Sequence, residues 1–229
     1  MKAGIIAAGE GSRLAQQGLP KPLLSVGGQT LLERTMRALA RSGVDELGLV
    51  ARDPRVVAHA EQLSILPVTA VTKVTDSSMH SLYELRVFVA KERFILCTVD
   101  SIIPPDEFTG FVQSYADRPE VEVLQSYTDY VDDEKPLRIA VDDGDHVTAL
   151  GDAAEGSPFV TVGLYGIGPQ AYSLLEPAVR SGVKKLRNYL NLVLQSGVAM
   201  AGFRLSKAID VDRPCDVHAA EDFLLELGL

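Results

Sequence analysis

The chain opens with an apolar run, Met1 to Ala8, closed by a glycine turn, and from Thr30 to Ser42 the apolar positions Leu31, Leu32, Met36 and Leu39 recur at helical spacing. These patterns predict a strand, a loop and a helix. The rhythm continues with a strand at Leu47 to Ala51, a helix over Pro54 to Leu63, a strand near Val68 to Lys73, a helix from Met79 and a strand at Phe94 to Val99. Such alternation predicts a parallel, doubly wound sheet. After Asp117 the pattern changes to short strand-like pieces: Val121 to Tyr127, Leu137 to Val141, Val147 to Leu150 and Phe159 to Ile167. Helices are expected at Gly182 to Ser196 and Arg213 to Leu227, flanking a last strand around Met200 to Val211, with Pro214 in a first helical turn. The second half therefore reads as mixed rather than parallel.

A chain of 229 residues, 46% of them hydrophobic, can bury an α/β core as one domain, residues 1–229, with halves at 1–117 and 118–229. The longest apolar stretches are strand length, below the roughly 20 residues that span a bilayer, and predict no membrane association. Gly9 to Arg13 interrupts the first hydrophobic run too early for a signal peptide, so a cytoplasmic protein is expected. A net charge of −9 would repel a phosphate backbone and argues against nucleic acid as a partner. Cys97 and Cys215 match no zinc or CxxC spacing and are expected as buried, reduced thiols. His59, His80, His146 and His218 form no HxH or HExxH pattern, which points to surface or capping roles.

The strongest local signal is Gly9-Glu10-Gly11-Ser12-Arg13-Leu14, after a buried strand, with Pro20-Lys21-Pro22 a few residues on. Glycines let the main chain approach a triphosphate and offer it N–H groups, Arg13 can form a bidentate pair and Lys21 supplies a mobile point charge. Together the two cations would offset charge on an α-phosphoryl group. A dinucleotide-binding fingerprint lacks its third glycine here, and a Walker P-loop fails because the chain has no Gly-Lys-Ser/Thr. Asp100 ends the apolar strand Phe94 to Val99, where ligands bind in open α/β sheets.

Ala7-Ala8-Gly9-Glu10-Gly11-Ser12-Arg13 with Pro20-Lys21-Pro22 resembles the opening signature of the sugar-phosphate and phosphocholine nucleotidyltransferases. The resemblance implies a nucleotide-diphospho-sugar transferase-like fold: a three-layer α/β domain with a mostly parallel mixed sheet and helices on both faces. It implies Arg13 and Lys21 as catalytic residues, Ala8, Gly9, Glu10, Gly11 and Ser12 around the nucleotide, and Asp100 as a metal ligand, although Val99 stands where the family usually has glycine. Asp210-Val211-Asp212-Arg213-Pro214 is similar to the family's late Asp-x-Asp-Thr-Pro segment, which carries a second metal role onto Asp212, with Arg213 replacing threonine. Two aspartates and triphosphate oxygens suit Mg2+, although Asp212 could instead cap the last helix and Asp210 could join the site. Ser77 and Ser78, in a stretch similar to the Ser-Leu-Tyr segment of phosphocholine-type cytidylyltransferases, are expected beside the base and ribose.

A phosphorylated acceptor needs cations, and Lys135, Lys185 and Arg187 are candidates by charge, with Tyr165 on a strand of small residues beside them. The expected reaction moves NMP from an NTP, CTP or UTP by preference, to a small phosphorylated acceptor such as a sugar 1-phosphate or phosphocholine, with pyrophosphate released. A homo-oligomer is compatible with this reading. Two rivals are a glycosyltransferase of the same broad fold, which would need a mid-chain Asp-x-Asp, and an idle regulatory subunit that binds nucleotide sugars. Arg13, Lys21, Asp100 and Asp212 together argue against the idle subunit.

Overall fold

The structure is a computed structural model, and it describes residues 1–9, 18–89, 91–131 and 136–229. The first half runs β1 (Lys2–Ala7), a 3-10 turn (Lys21–Leu23), β2 (Ser25–Val26), β3 (Gln29–Thr30), α1 (Leu31–Arg41), β4 (Glu46–Ala51), α2 (Pro54–Leu63), β5 (Val68–Thr72), α3 (Ser78–Glu84), α4 (Arg86–Val89), β6 (Phe94–Thr98), β7 (Ser101–Ile102) and α5 (Pro105–Asp117). The second runs β8 (Val123–Thr128), β9 (Ile139–Val141), β10 (Val147–Leu150), β11 (Val160–Ile167), α6 (Pro169–Ser173), α7 (Leu175–Arg180), α8 (Leu186–Gln195), β12 (Met200–Arg204), β13 (Ile209–Asp210) and α9 (Pro214–Glu226).

Seven strands form the central sheet in the order β12-β8-β11-β6-β1-β4-β5. β6, β1, β4 and β5 run parallel, as their crossover helices require. β12 is parallel to β8, and β11 is antiparallel to both β6 and β8. Reversing β11 places its beginning beside the C-terminal end of β6. Each face of the sheet carries its own apolar core. Leu31 and Leu39 of α1, Val56 of α2, Phe111 of α5 and Phe223 of α9 cover one face, while Met79 of α3, Val89 of α4, Leu175 of α7 and Tyr189 of α8 cover the other. The result is the expected three-layer α/β architecture.

Several local expectations change. The helix expected from Gly182 begins at Leu186, because Gly182 takes φ +83° in the preceding turn and Lys185 is extended. The single last strand is split into β12 and β13, with Leu205 bonding back to Tyr127 at the break. Helices α5, α6 and α7 had no counterpart in the pattern, although Phe108, Phe111, Val112 and Tyr115 have helical spacing and Pro105 occupies a first turn. Cys97 is buried as expected, but Cys215 is exposed, since it lies in the first turn of α9 on the face away from the core.

Candidate functional site

Because β1, β4 and β6 are parallel and adjacent, their C-terminal ends share one edge of the sheet, and Gly9, Arg52 and Asp100 follow them there. The late segment arrives by a two-stranded antiparallel ladder in which Asp210 of β13 faces Ser101 of β7. One residue on, the Val211 N–H donates to the Asp100 carbonyl at 3.0 Å, which fixes Asp212 beside Asp100.

Lys21 fills the gap between these carboxylates. Pro20 and Pro22 flank it, and Pro22 sits in the 3-10 turn that aims its side chain inward. Lys21 Nζ donates to Asp100 Oδ2 at 2.7 Å and to Asp212 Oδ1 at 2.5 Å, and its side chain is 11% exposed. Burial works against the charge on Lys21, yet the two carboxylates outweigh it and raise the ammonium's pKa above its ordinary value. Burial likewise disfavours ionised Asp100, but Lys21 and a hydrogen bond from Thr98 hold that carboxyl below the usual range. Asp210 goes the other way: burial and the neighbouring Asp100 charge push it up to about 7 against a hydrogen bond from Ser101.

Asp212 is not the helix cap. That role falls on the 212–216 turn, where the buried Asp216 carboxylate accepts from the Asp212 N–H at 2.9 Å, the Arg213 N–H at 2.7 Å and Arg213 Nε at 3.1 Å. With the turn closed by Asp216, the Asp212 side chain is released toward Lys21. Arg213, the departure from the family's threonine, is thus the partner of Asp216. Val99, the departure from glycine, is buried and packs into the core beneath the site.

Two cavities meet here. The larger, about 700 Å³, is lined by Ala8, Gly9, Lys21, Arg52, Asp76 and Ser77 among others. The smaller, about 400 Å³, is lined by Ser101, Thr161, Tyr165, Lys185, Arg187 and Asp210 among others. Ser78, Thr98, Asp100 and Asp212 line both, so they form the wall where the two volumes join. The wall is close-packed: a Cβ on Gly163 of β11 would lie 1.9 Å from Thr98 Oγ1 and 2.8 Å from Ser101 Oγ. Only glycine lets β11 approach so near, and the β8–β11 pairing shifts register between Thr161 and Tyr165.

The residues singled out in the sequence therefore divide. Ala8, Gly9, Lys21, Ser77, Ser78, Asp100 and Asp212 gather at the larger cavity, and Tyr165, Lys185 and Arg187 gather at the smaller. Ser77 also caps α3, its hydroxyl meeting the His80 N–H at 3.4 Å and His80 Nδ1 at 2.9 Å. Glu10, Gly11, Ser12, Arg13 and Lys135 lie outside the described residues. Thr98, Ser101, Arg52 and Thr161 line the cavities without having been singled out. Thr98 and Arg52 carried a usable signal, since both stand at the C-terminal end of a predicted strand.

For a hard divalent cation the donor set fits in a specific way. Two carboxylates already converge on one positive charge, and among the described residues no group of three or more His, Cys, Asp or Glu side chains forms an all-protein cage. Mg2+ held by one or two carboxylates and completed by phosphate oxygens and water has this requirement. No described helix is long and apolar enough to cross a membrane.

The profile of the MobA-like NTP transferase domain matches residues 3–156. A curated relative, the bifunctional IPC transferase and DIPP synthase of Rubrobacter xylanophilus, is 29% identical over 97% of this chain, which spans about half, 52%, of that protein's length. The inositol-1-phosphate CTP transferase from T. maritima superposes with a TM-score of 0.83 at 21% identity, over 99% of this chain and 95% of its own. A UDP-glucose pyrophosphorylase complexed with UDP-glucose superposes with a TM-score of 0.80 at 15% identity, over 98% of both chains. The fold is that of the nucleotide-diphospho-sugar transferases.

Proposed function

The chain belongs to the MobA-like NTP transferase domain family, and from that premise we propose that it transfers CMP from CTP to a small phosphorylated polyol of the inositol 1-phosphate kind, releasing pyrophosphate. The observation that carries this reading is the shared wall: two cavities, one beside Gly9 after β1 and one lined by both basic and acidic side chains, Lys185 and Arg187 among them, meet at Asp100, Asp212, Thr98 and Ser78. A donor and an acceptor seated in them would face each other across that wall, and holding two reactants so is the main requirement of an in-line displacement. The base preference and the acceptor rest on the names of relatives: the T. maritima protein acts on inositol 1-phosphate and CTP. UTP is the rival donor, by analogy with the UDP-glucose enzyme.

In this mechanism the triphosphate lies in the larger cavity with its phosphates against Gly9 and Lys21, and Arg13 adds a second cation. Ser77 and Ser78 border the ribose and base. The acceptor occupies the smaller cavity, where Lys185 and Arg187, with Lys135, hold its phosphate beside Tyr165. An acceptor phosphate oxygen attacks the α-phosphorus, a new P–O bond forms, the bond to the bridging oxygen breaks and pyrophosphate departs. Lys21 stabilises charge on the α-phosphoryl oxygens as the bonds exchange. Asp100 and Asp212 would hold Mg2+, which neutralises phosphate charge when bound. No covalent enzyme intermediate is required.

A pyrophosphate-release screen of the four NTPs against inositol 1-phosphate, glucose 1-phosphate and phosphocholine tests the assignment. Highest kcat/KM is expected for CTP with inositol 1-phosphate. Faster turnover with UTP would overturn the cytidylyl reading, and faster turnover with phosphocholine would overturn the polyol reading.

A further inference from the structure

The aspartate that opens the late segment has no part in the mechanism above. Asp210 lines the smaller cavity and not the larger one, whereas Asp100 and Asp212 line both. Lys21 bonds to Asp100 and Asp212, while the Asp210 carboxylate takes the Ser101 hydroxyl at 2.5 Å. Asp210 lies two residues before Asp212 on the extended segment and at the exposed end of β13, so its carboxylate borders the smaller cavity alone.

That placement is rigid. Asp210 pairs with Ser101 in the β7–β13 ladder, and Ser101 Oγ also accepts from the Gly163 N–H at 3.3 Å. A chain from the Gly163 amide through the Ser101 hydroxyl to Asp210 Oδ1 therefore fixes one carboxylate oxygen and leaves the other for a ligand. The same cavity is lined by Lys185 and Arg187 at the start of α8. A cavity lined by both these cations and an oriented carboxylate suits a ligand that carries an anionic group and separate hydrogen-bond donors. A carboxylate cannot face the acceptor phosphate, because two oxyanions in contact repel. It can accept from a neutral hydroxyl in either protonation state, and in the ionised form such a charge-assisted bond is about twice as strong as a neutral one. A quaternary ammonium is the weaker match, because it has no N–H or O–H to donate to the oriented Asp210 oxygen, even though Tyr130, Tyr165 and the aspartates of the lining would attract its charge.

We propose that Asp210, held in place by Ser101, is the specificity-determining residue of the acceptor cavity, and that it accepts a hydrogen bond from a ring hydroxyl of a phosphorylated polyol. The assignment rests on the reading of CMP transfer to a phosphorylated polyol and names which part of the acceptor is recognised. A site built to pair with a hydroxyl rejects the analogue that lacks it far more strongly than an apolar pocket rejects a missing methylene.

The test is a cycle of enzyme and acceptor variants. Wild type, Asp210→Ala, Asp210→Asn and Ser101→Ala are assayed with CTP and Mg2+ against inositol 1-phosphate and its deoxy analogues. Wild type is expected to prefer the full polyol over one deoxy analogue by about 100-fold or more in kcat/KM. Asp210→Ala should bring that ratio within a few-fold of one, Asp210→Asn should restore part of it through its amide carbonyl, and Ser101→Ala should fall between. Calorimetric binding of CTP with Mg2+ should be unchanged in all variants, which also shows that they are folded. Unaltered discrimination by Asp210→Ala overturns the proposal, and so does weakened CTP–Mg2+ binding, which would make Asp210 a metal ligand. Wild type that turns over phosphocholine but no polyol phosphate overturns both this inference and the reading it rests on, whereas loss of the deoxy effect alone overturns only the inference.

Discussion

The two cavities are built by opposite means. The larger lies at the ends of parallel strands, and most of its residues come from short contiguous stretches: Ile6 to Gly9, Lys21 to Pro22, Val74 to Ser78 and Thr98 to Asp100. The smaller is assembled from the reversed strand β11, the β7–β13 ladder and the start of α8, segments scattered between Ser101 and Asp210. A triphosphate is the same in every reaction of this chemistry, so one short motif can serve it. An acceptor varies in shape and hydroxyl pattern, and a wall made of separate segments can change one face without disturbing the rest. Asp100 and Asp212 belong to both, which makes them the place where a change in either cavity is felt by the other.

Breaking the shared wall should have the largest effect. Lys21→Ala is expected to lower kcat/KM by about 10²- to 10³-fold, as loss of one preorganised charge-stabilising donor does, while its Tm moves by only a few degrees. Pyrophosphate release alongside thermal unfolding checks this, and unchanged turnover would remove Lys21 from the site. Asp100→Asn and Asp212→Asn should each raise the Mg2+ concentration for half-activation by about tenfold or more, since an amide keeps the shape but not the charge that holds a hard cation. If one of the two leaves the metal titration unmoved, that residue is structural and the wall is asymmetric.

A smaller effect is expected one turn away. Asp216→Asn leaves the Asp212 and Arg213 N–H groups and the Arg213 side chain with a weaker acceptor, at a cost of about 1–3 kcal/mol. Burial opposes ionisation of Asp216, yet Arg213 and the two backbone donors hold its pKa below the ordinary carboxylate value. Folding thus lowers this pKa. Its stabilising contribution is complete above about pH 4 and is lost as pH falls through the depressed folded value, so wild type and Asp216→Asn should converge in Tm at strongly acid pH. A constant gap across the acid range would contradict the assignment. The smallest effect belongs to the acceptor rim: Arg187→Ala and Lys185→Ala should each raise the acceptor KM by roughly three- to tenfold, as expected for exposed charges, with the CTP KM unchanged. A rise in the CTP KM instead would break the division between the cavities.

How far the sequence revealed this arrangement follows from the same contrast. The parallel half was readable because buried strands and amphipathic helices alternate with clear periods, and helix α2 begins and ends where its pattern predicts. Asp100 was readable because a strand end facing a crevice is a topological position. The acceptor side was less so. Charge marked Lys185 and Arg187, yet nothing in the spacing revealed that β11 reverses and brings Gly163 against Thr98 and Ser101. Ser101 became visible only through its ladder partner, 109 positions away. The capping role considered for Asp212 passed to Asp216, because a local pattern of Asp residues before a helix does not say which of them turns inward.

Lys21 and Asp212 are separated by 191 positions, the longest span among the contacts that close the site. On a ribosome adding about 5–20 residues per second, Lys21 waits roughly 10 to 40 seconds for its second carboxylate to be made. During that interval the nascent chain already holds Ser78, Thr98 and Asp100, three of the four residues of the wall. Asp216, which sets the Asp212 turn, follows later still. A stalled translation product or a fragment clipped before α9 would therefore keep much of the sheet but lack Asp216, the acceptor that closes the turn carrying Asp212, so that synthesis of the late segment completes the site.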